Sequence, residues 1–173
     1  MTRVAVIGNA GGGKSTMCWK LSAALNLPLY PIDTLQWKPG WVPTPKEEFT
    51  RRHNNLIKQD RWIIDGWGTH EAIMARFAAA DTIILVDHPL YIHYWWAIKR
   101  QTKTIFRPRP DGPEGCPMLP MTWQLFKMIW RIHKDARPPL IQLIDSFRSH
   151  KRIIHIRSPR QLKQFIREYC RSA

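Results

Sequence analysis

The sequence predicts a single domain, residues 1–173, of the three-layer α/β class, in which a parallel sheet lies between two layers of helices. Two observations support this class. Short apolar stretches alternate with longer amphipathic ones along the whole chain, as strands alternate with crossover helices. The apolar stretches, such as the run "IILV" at 83–86, are not interrupted by polar residues, which is typical of strands buried on both faces.

The elements can be placed one by one. Five strands are expected at residues 4–7, 27–33, 61–66, 81–87 and 152–156. Helices are expected at 14–25, 45–59, 69–79 and 89–104, then from 121 with an interruption near 137–139, and from 159 onward. Proline and glycine crowd the segment between the fourth and fifth of these helices. This insert, at about 105–121, is too short to fold alone and is therefore predicted to be a lid.

Composition limits the possible partners. The formal net charge of +14 favours anionic partners such as nucleotide phosphates or nucleic acid. Three scattered cysteines form no CxxC pair, which argues against a zinc site and against a disulfide framework. No apolar run is long enough to span a bilayer and no leader is visible, so we expect a cytoplasmic protein without a membrane partner. No apolar stripe stands out as an interface.

The stretch "GNAGGGKS", residues 8–15, matches the pattern GxxxxGK[ST] directly after a strand and before a helix. In that context backbone N–H groups and the helix N-terminus bind phosphate. Lys14 would bridge the β- and γ-phosphates of ATP, and the Ser15 hydroxyl would bind Mg²⁺. The alternative is a glycine-rich turn without a ligand. The candidate nucleotide-binding residues are Gly8, Gly11, Gly12, Gly13, Lys14, Ser15 and Thr16.

The chain also resembles a known family. It is short, begins with this loop and contains no NKxD guanine motif, and the order of its elements resembles the adenylate kinase-like superfamily of P-loop kinases. Within it, "PIDTLQWKPGWVPTPKEEF", "WIIDG", "ADTIILVDHP" and "RPRPDGPEGCP" resemble a bacterial subgroup labelled DNA topology modulation proteins. The resemblance implies a P-loop NTPase fold with strand order 2-3-1-4-5 and transfer of the γ-phosphate of ATP to a small acceptor.

Two aspartates are assigned through this resemblance. Asp65 ends the third strand, beside the P-loop strand, where related kinases have an acidic residue that holds Mg²⁺; the alternative is an Asp-Gly turn. Asp33 ends the second strand, where kinases of hydroxyl acceptors have an aspartate that orients the hydroxyl and takes its proton. Asp33 therefore favours a hydroxyl acceptor over a nucleoside monophosphate. The alternative for Asp33 is a cap near Thr34.

Cations on and around the lid would meet the transferring phosphoryl group. Arg100 is the preferred catalytic candidate, and any of these cations is alternatively a solvated surface charge. The others are Lys103, Arg107, Arg109, Arg131, Lys134 and Arg137. Among the aromatic residues, Trp37, Trp41 and Trp67 are expected to face the acceptor cleft or to pack locally, whereas Trp95, Trp96, Trp123 and Trp130 are expected in the core. Asp87 is interpreted as a helix cap.

Other functions stay open at this stage. The charge and the subgroup label suggest a nucleic-acid-binding protein with a regulatory ATP site. No recognition helix and no aromatic-basic RNA motif supports that reading. A polynucleotide 5′-hydroxyl kinase would combine both activities.

Overall fold

The computed structural model describes residues 1–104, 114–117 and 119–170. The described residues form a five-stranded sheet and a separate hairpin of two short strands. The strands are β1 (Arg3–Gly8), β2 (Leu29–Pro31), β3 (Trp37–Lys38), β4 (Val42–Pro43), β5 (Trp62–Asp65), β6 (Thr82–Val86) and β7 (Arg152–Ile156). β3 and β4 form the hairpin, and the other five form the sheet.

The large sheet is parallel throughout and has the order β2-β5-β1-β6-β7. Counted without the hairpin, this is the predicted order 2-3-1-4-5. β1 lies at the centre, where Val6 is opposite Asp65 of β5 on one side and Ile84 of β6 on the other. The carboxyl ends of β1, β5 and β6 therefore meet at one edge, and this edge carries the candidate site.

All helices but the short second one, which was not predicted, follow the predicted order. The helices are α1 (Lys14–Leu25), α2 (Ile32–Gln36), α3 (Lys46–Ile57), α4 (His70–Ala79), α5 (Leu90–Thr104), α6 (Thr122–Arg131), α7 (Arg137–Ser146) and α8 (Pro159–Tyr169). The helix is irregular earlier than predicted: residues 137–139 form the first turn of α7, and a π-helical segment, Ile132–Ala136, lies between α6 and α7. Side chains cap the starts of α4 and α8. The Thr69 hydroxyl accepts a hydrogen bond from the Ala72 amide, and the Ser158 hydroxyl accepts one from the Gln161 amide.

The core consists of two main clusters, one on each face of the sheet. Alternation along β1 sends Ala5 and Ile7 to one face and Val4 and Val6 to the other. α3, α4 and α7 cover the first face, and α1 and α8 cover the second. A smaller cluster, in which Ala97 contacts Leu125 and Ile129, joins α5 to α6. Among the residues described, no helix combines the length and apolar character needed to cross a bilayer.

The structure corrects the prediction for residues 27–33. β2 ends at Pro31, because its partner strand β5 ends at the opposing Asp65 and no further ladder is available. The chain then turns into the short helix α2, which buries Ile32 and Leu35 on one face. Asp33 thus lies in the first turn of a helix and not at the end of a strand.

The expectation that the helical tryptophans are core residues was also wrong for three of them. Trp95, Trp123 and Trp130 are 63%, 66% and 51% exposed. They lie on exposed faces of α5 and α6, whereas Trp96 packs against the cluster around α1 and α8. Periodicity placed all four on helices, but it did not distinguish the covered helix faces from the uncovered ones.

Candidate active site

The glycine-rich loop is tightly enclosed. β1 ends at Gly8 and α1 begins at Lys14, so the loop joins the two elements directly. A Cβ on Gly8 would lie 2.1 Å from the backbone oxygen of Val86, and one on Gly11 would lie 2.3 Å from that of His93. Gly13, with φ of 75°, precedes α1 and no side chain caps the helix. The first N–H groups of α1 are thus not occupied by a capping side chain, which suits an anion.

Lys14 lies across this loop. Its Nζ donates to the backbone oxygen of Asn9 over 2.7 Å. Burial lowers the pKa of Lys14, the negative charges of Asp65 and Asp33 oppose this shift, and the positive charge of Arg100 adds to it. Four residues predicted from the sequence, Lys14, Asp33, Asp65 and Arg100, are therefore within electrostatic reach of one another.

Asp65 has the features of a cation ligand. Its Oδ2 accepts a hydrogen bond from the Ser15 hydroxyl over 3.3 Å, and its Oδ1 is buried without a hydrogen-bond partner. Burial raises the pKa of this carboxyl, although the nearby Lys14 lowers it. Hydroxyl and carboxylate oxygens suit Mg²⁺, which takes few protein ligands and keeps phosphate and water oxygens. Across the described ranges, no group of three His, Cys, Asp or Glu side chains converges on a metal site.

Asp33 approaches the same site from α2. It is partly exposed in the first turn of that helix, and its charge acts on both Lys14 and Asp65. The helical position brings Asp33 to the cleft as the predicted strand end would have done, because the turn occurs at the same edge of the sheet.

Sequence reasoning missed Arg76, which is fully buried on α4. Its Nη2 donates to the backbone oxygens of Gly66 and Trp67, over 2.7 and 3.1 Å, and so holds the turn that follows Asp65. Burial lowers the pKa of Arg76 to about 10, and the charge of Asp65 opposes this. The signal was present in the sequence, because Arg76 shares a helical face with the buried Ala72, Ile73 and Phe77.

A second residue missed from the sequence is Asn9, inside the loop itself. Its side chain is buried, and Nδ2 donates to the backbone oxygen of Ile129 over 2.7 Å. Its Oδ1 accepts from the amide of Ala10. Asn9 thus ties the glycine-rich loop to α6, the helix that follows the insert.

Three tryptophan side chains make contacts next to the glycine-rich loop and within the hairpin. The Trp67 indole donates to the backbone oxygen of Gly8 over 2.9 Å and so joins the turn after Asp65 to the P-loop. Trp37 and Trp41 contact each other edge to face, with ring centroids 5.7 Å apart. The hairpin that carries them touches the end of the insert: the Trp41 indole donates to the oxygen of Pro117 and the Gly40 amide to that of Gly115.

The cations that the sequence assigned to the lid region have different surroundings in the structure. Arg137 is paired with Asp87, because its Nε and Nη2 donate to the two carboxylate oxygens of that residue over 2.6 and 2.9 Å. Arg131 and Lys134 are exposed. The side chain of Lys103, and Arg107 and Arg109 altogether, lie outside the described residues.

Asp87 is therefore an ion-pair residue and not a helix cap. Burial would raise the pKa of its carboxyl, but hydrogen bonds from His155 and Arg137 hold it well below the usual value. The helix that Asp87 was expected to cap begins three positions later, at Leu90. The pair joins the end of β6 to α7, which sequence proximity could not reveal.

No protein-family model and no curated protein matches the chain. The resemblance to the subgroup of DNA topology modulation proteins is thus not confirmed. Solved structures do match over nearly the whole length.

Three of these structures are small-molecule kinases. Shikimate kinase of Acinetobacter baumannii, solved with shikimate, is 16% identical with a TM-score of 0.54, covering 97% of this chain and 90% of that one. The Aquifex aeolicus shikimate kinase is 19% identical with a TM-score of 0.50, covering 96% and 92%. A gluconokinase of Sinorhizobium meliloti is 13% identical with a TM-score of 0.57, covering 99% and 90%. This chain therefore has the fold of the P-loop small-molecule kinases.

Proposed function

We propose that the protein transfers the γ-phosphate of ATP to a hydroxyl group of a small molecule. The observation that carries the proposal is the convergence of Lys14, Asp33 and Asp65 at the carboxyl edge of the sheet, beside an uncapped helix N-terminus. Such a helix end, together with the lysine, provides a site for the triphosphate. The likeness to shikimate kinases and gluconokinases in fold is consistent with this reaction.

Each residue has a separate task in this proposal. Lys14 and the loop amides bind the phosphates, and Ser15 and Asp65 would hold Mg²⁺, whose charge neutralises phosphate oxygens when it is bound. Asp33 orients the acceptor hydroxyl toward the γ-phosphate and accepts its proton. Arg100 adds positive charge beside Lys14, where negative charge spreads over the transferring group.

The charge of the acceptor side favours a hydroxyl over a phosphate as nucleophile. Asp33 and Asp65 are close enough for Asp33 to raise the pKa of Asp65. A nucleoside monophosphate would bring a further negative charge against these carboxylates, whereas an uncharged hydroxyl donates a hydrogen bond to one of them.

The test is transfer of labelled γ-phosphate from ATP to a panel of sugars, cyclitols, nucleosides, nucleoside monophosphates and 5′-hydroxyl oligonucleotides. We expect transfer to a hydroxyl acceptor. Lys14→Ala should lower it by about 100-fold or more, as loss of a transition-state contact does. The matched control is Lys20→Ala, an exposed lysine on the same helix, which should retain full transfer.

Asp33→Asn tests the acceptor site separately. We expect it to lower transfer by about 100-fold or more while ATP affinity is unchanged, because the amide cannot take the proton. Asp60→Asn, at an exposed turn, is the control. An unchanged rate in Asp33→Asn, or transfer to monophosphates alone, would overturn the assignment of a hydroxyl acceptor.

A further inference from the structure

The outer faces of α5 and α6 carry a stripe of exposed apolar side chains that the sequence did not reveal. On α5, Tyr91, Trp95 and Ile98 recur with helical spacing and are 70%, 63% and 45% exposed. On α6, Trp123 and Trp130 recur with the spacing that places them on one face. Soluble proteins seldom expose so many large aromatic side chains together without a binding role.

The two stripes lie on the same side of the helix pair. Contacts between Tyr94 and Phe126 and between Gln101 and Thr122 show that α5 and α6 are antiparallel. On each helix, an exposed tryptophan directly follows a residue that contacts the other helix. Trp95 follows Tyr94 on α5, and Trp123 follows Thr122 on α6. In antiparallel helices the same step along the chain rotates both side chains to the same side of the pair, so the stripes form one continuous face.

Every charged side chain of α5 and α6 is basic. Neither Leu90–Thr104 nor Thr122–Arg131 contains an aspartate or a glutamate. Exposed Lys99, Lys127 and Arg131 accompany the aromatic stripe, and the Lys127 ammonium lies over the Trp123 ring, 5.3 Å from its centroid. Aromatic side chains flanked by lysine and arginine, with no acidic residue, form the composition that binds the anionic surface of a bilayer.

We propose that the face formed by Tyr91, Trp95, Ile98, Trp123, Lys127 and Trp130 docks onto an anionic lipid surface. The rings enter the interface between headgroups and acyl chains, and the cations meet lipid phosphates. Such binding requires no helix that spans the bilayer, so the proposal departs from the expectation of no membrane partner, which rested in part on the lack of a spanning run. The P-loop contacts the other side of α5, where His93 hydrogen bonds to the oxygen of Ala10, so docking leaves the nucleotide site open.

Two other occupants fit this face less well. A second copy would bring Lys127 and its neighbours against identical cations, which repel each other at short range. Single-stranded nucleic acid binds where aromatic rings line a charged groove, whereas this face is the outer surface of two packed helices and includes the aliphatic Ile98, which offers no stacking.

The experiment measures co-sedimentation of the full chain with two kinds of vesicle, pure phosphatidylcholine and phosphatidylcholine mixed equally with phosphatidylglycerol. We expect binding to the mixed vesicles, a blue shift of tryptophan emission, and weakening by salt. Trp95→Ala combined with Trp123→Ala should lower the partition coefficient about tenfold or more. Trp19→Ala is the matched control, because Trp19 is 54% exposed but lies on α1, outside the two helices that form this face.

A second pair of variants tests the charge. Lys127→Glu should lower binding by at least about fivefold, the effect of removing one positive charge near the surface. Lys58→Glu changes the net charge equally at an exposed position at the end of α3, outside α5 and α6, and we expect a smaller effect from it. Circular dichroism of all variants checks that they fold.

Three results would overturn the proposal. The first is absence of binding to the anionic vesicles, or binding that the Trp95 and Trp123 substitutions leave unchanged. The second is a dimer in sedimentation that these substitutions dissociate, which would make a second copy the occupant. The third is tighter binding of a single-stranded oligonucleotide through the same side chains, which would assign the face to nucleic acid.

Discussion

The packing of the P-loop against α5 gives a prediction with a built-in control. A Cβ at Gly11 would lie 2.3 Å from the backbone oxygen of His93 and 3.2 Å from the backbone nitrogen of Ala97. Gly40 has a similar φ, +77° against +69° at Gly11, but a Cβ there would meet nothing within 4 Å. Alanine at the two positions therefore separates backbone strain from steric contact.

The magnitudes follow from these two contributions. Alanine in the left-handed region costs about 1–2 kcal/mol, and Gly40→Ala should lower the free energy of unfolding by that amount alone. Gly11→Ala adds a collision with a backbone oxygen that cannot rotate away, worth about 1–3 kcal/mol by analogy with overpacked cores. We therefore expect a total loss of about 2–5 kcal/mol for Gly11→Ala.

The assay is guanidinium denaturation of the wild type and both variants, with the affinity for ATP measured in parallel. Gly11→Ala should lose both stability and ATP binding, because the loop must move away from α5 to accept the methyl group. Gly40→Ala should bind ATP as the wild type does. Equal destabilisation by the two substitutions, or normal ATP affinity in Gly11→Ala, would refute the reasoning that this loop is held by its contact with α5.

Two further predictions concern buried titratable groups. Burial, followed by the charge of Arg76, lowers the pKa of His53 from its usual 6.5 to about 4. The unfolded chain then binds more protons between these values, so stability falls as pH decreases from about 6.5 to 4, by up to about 3 kcal/mol for this residue. His53→Phe should flatten the pH dependence of the denaturation midpoint in this range, and a slope equal to that of the wild type would contradict this. Asp87→Asn removes the charge from a buried carboxylate that accepts from Arg137 and His155, and we expect it to lower the free energy of unfolding by about 2–4 kcal/mol. The control, Asp145→Asn in an exposed pair, should cost less than about 1 kcal/mol, and a similar loss in both variants would show that burial of the Asp87 pair is unimportant.

Much of the site could be predicted because its parts follow one another along the chain. The glycine-rich loop, Lys14 and Ser15 form a continuous motif, and Asp65 ends an apolar strand that the family resemblance placed beside β1. Arg76 and Asn9 were missed although they support this motif. Arg76 was hidden in an apolar helical pattern, and the hydrogen bond from Asn9 reaches Ile129, which is distant in sequence.

The sequence by itself determined the alternation of strands and helices, their approximate bounds and the glycine-rich loop, because hydrophobic periodicity and the glycine motif are local properties. Tertiary structure decided which side chains meet and which remain uncovered. The end of β5 determines where β2 stops and so places Asp33 in a helix. The approach of α7 to β6 makes Asp87 an ion-pair partner of Arg137. The antiparallel packing of α5 on α6 leaves Trp95, Trp123 and Trp130 exposed. Each of these outcomes depends on a neighbour that is remote along the chain, and a local pattern carries no information about such a neighbour.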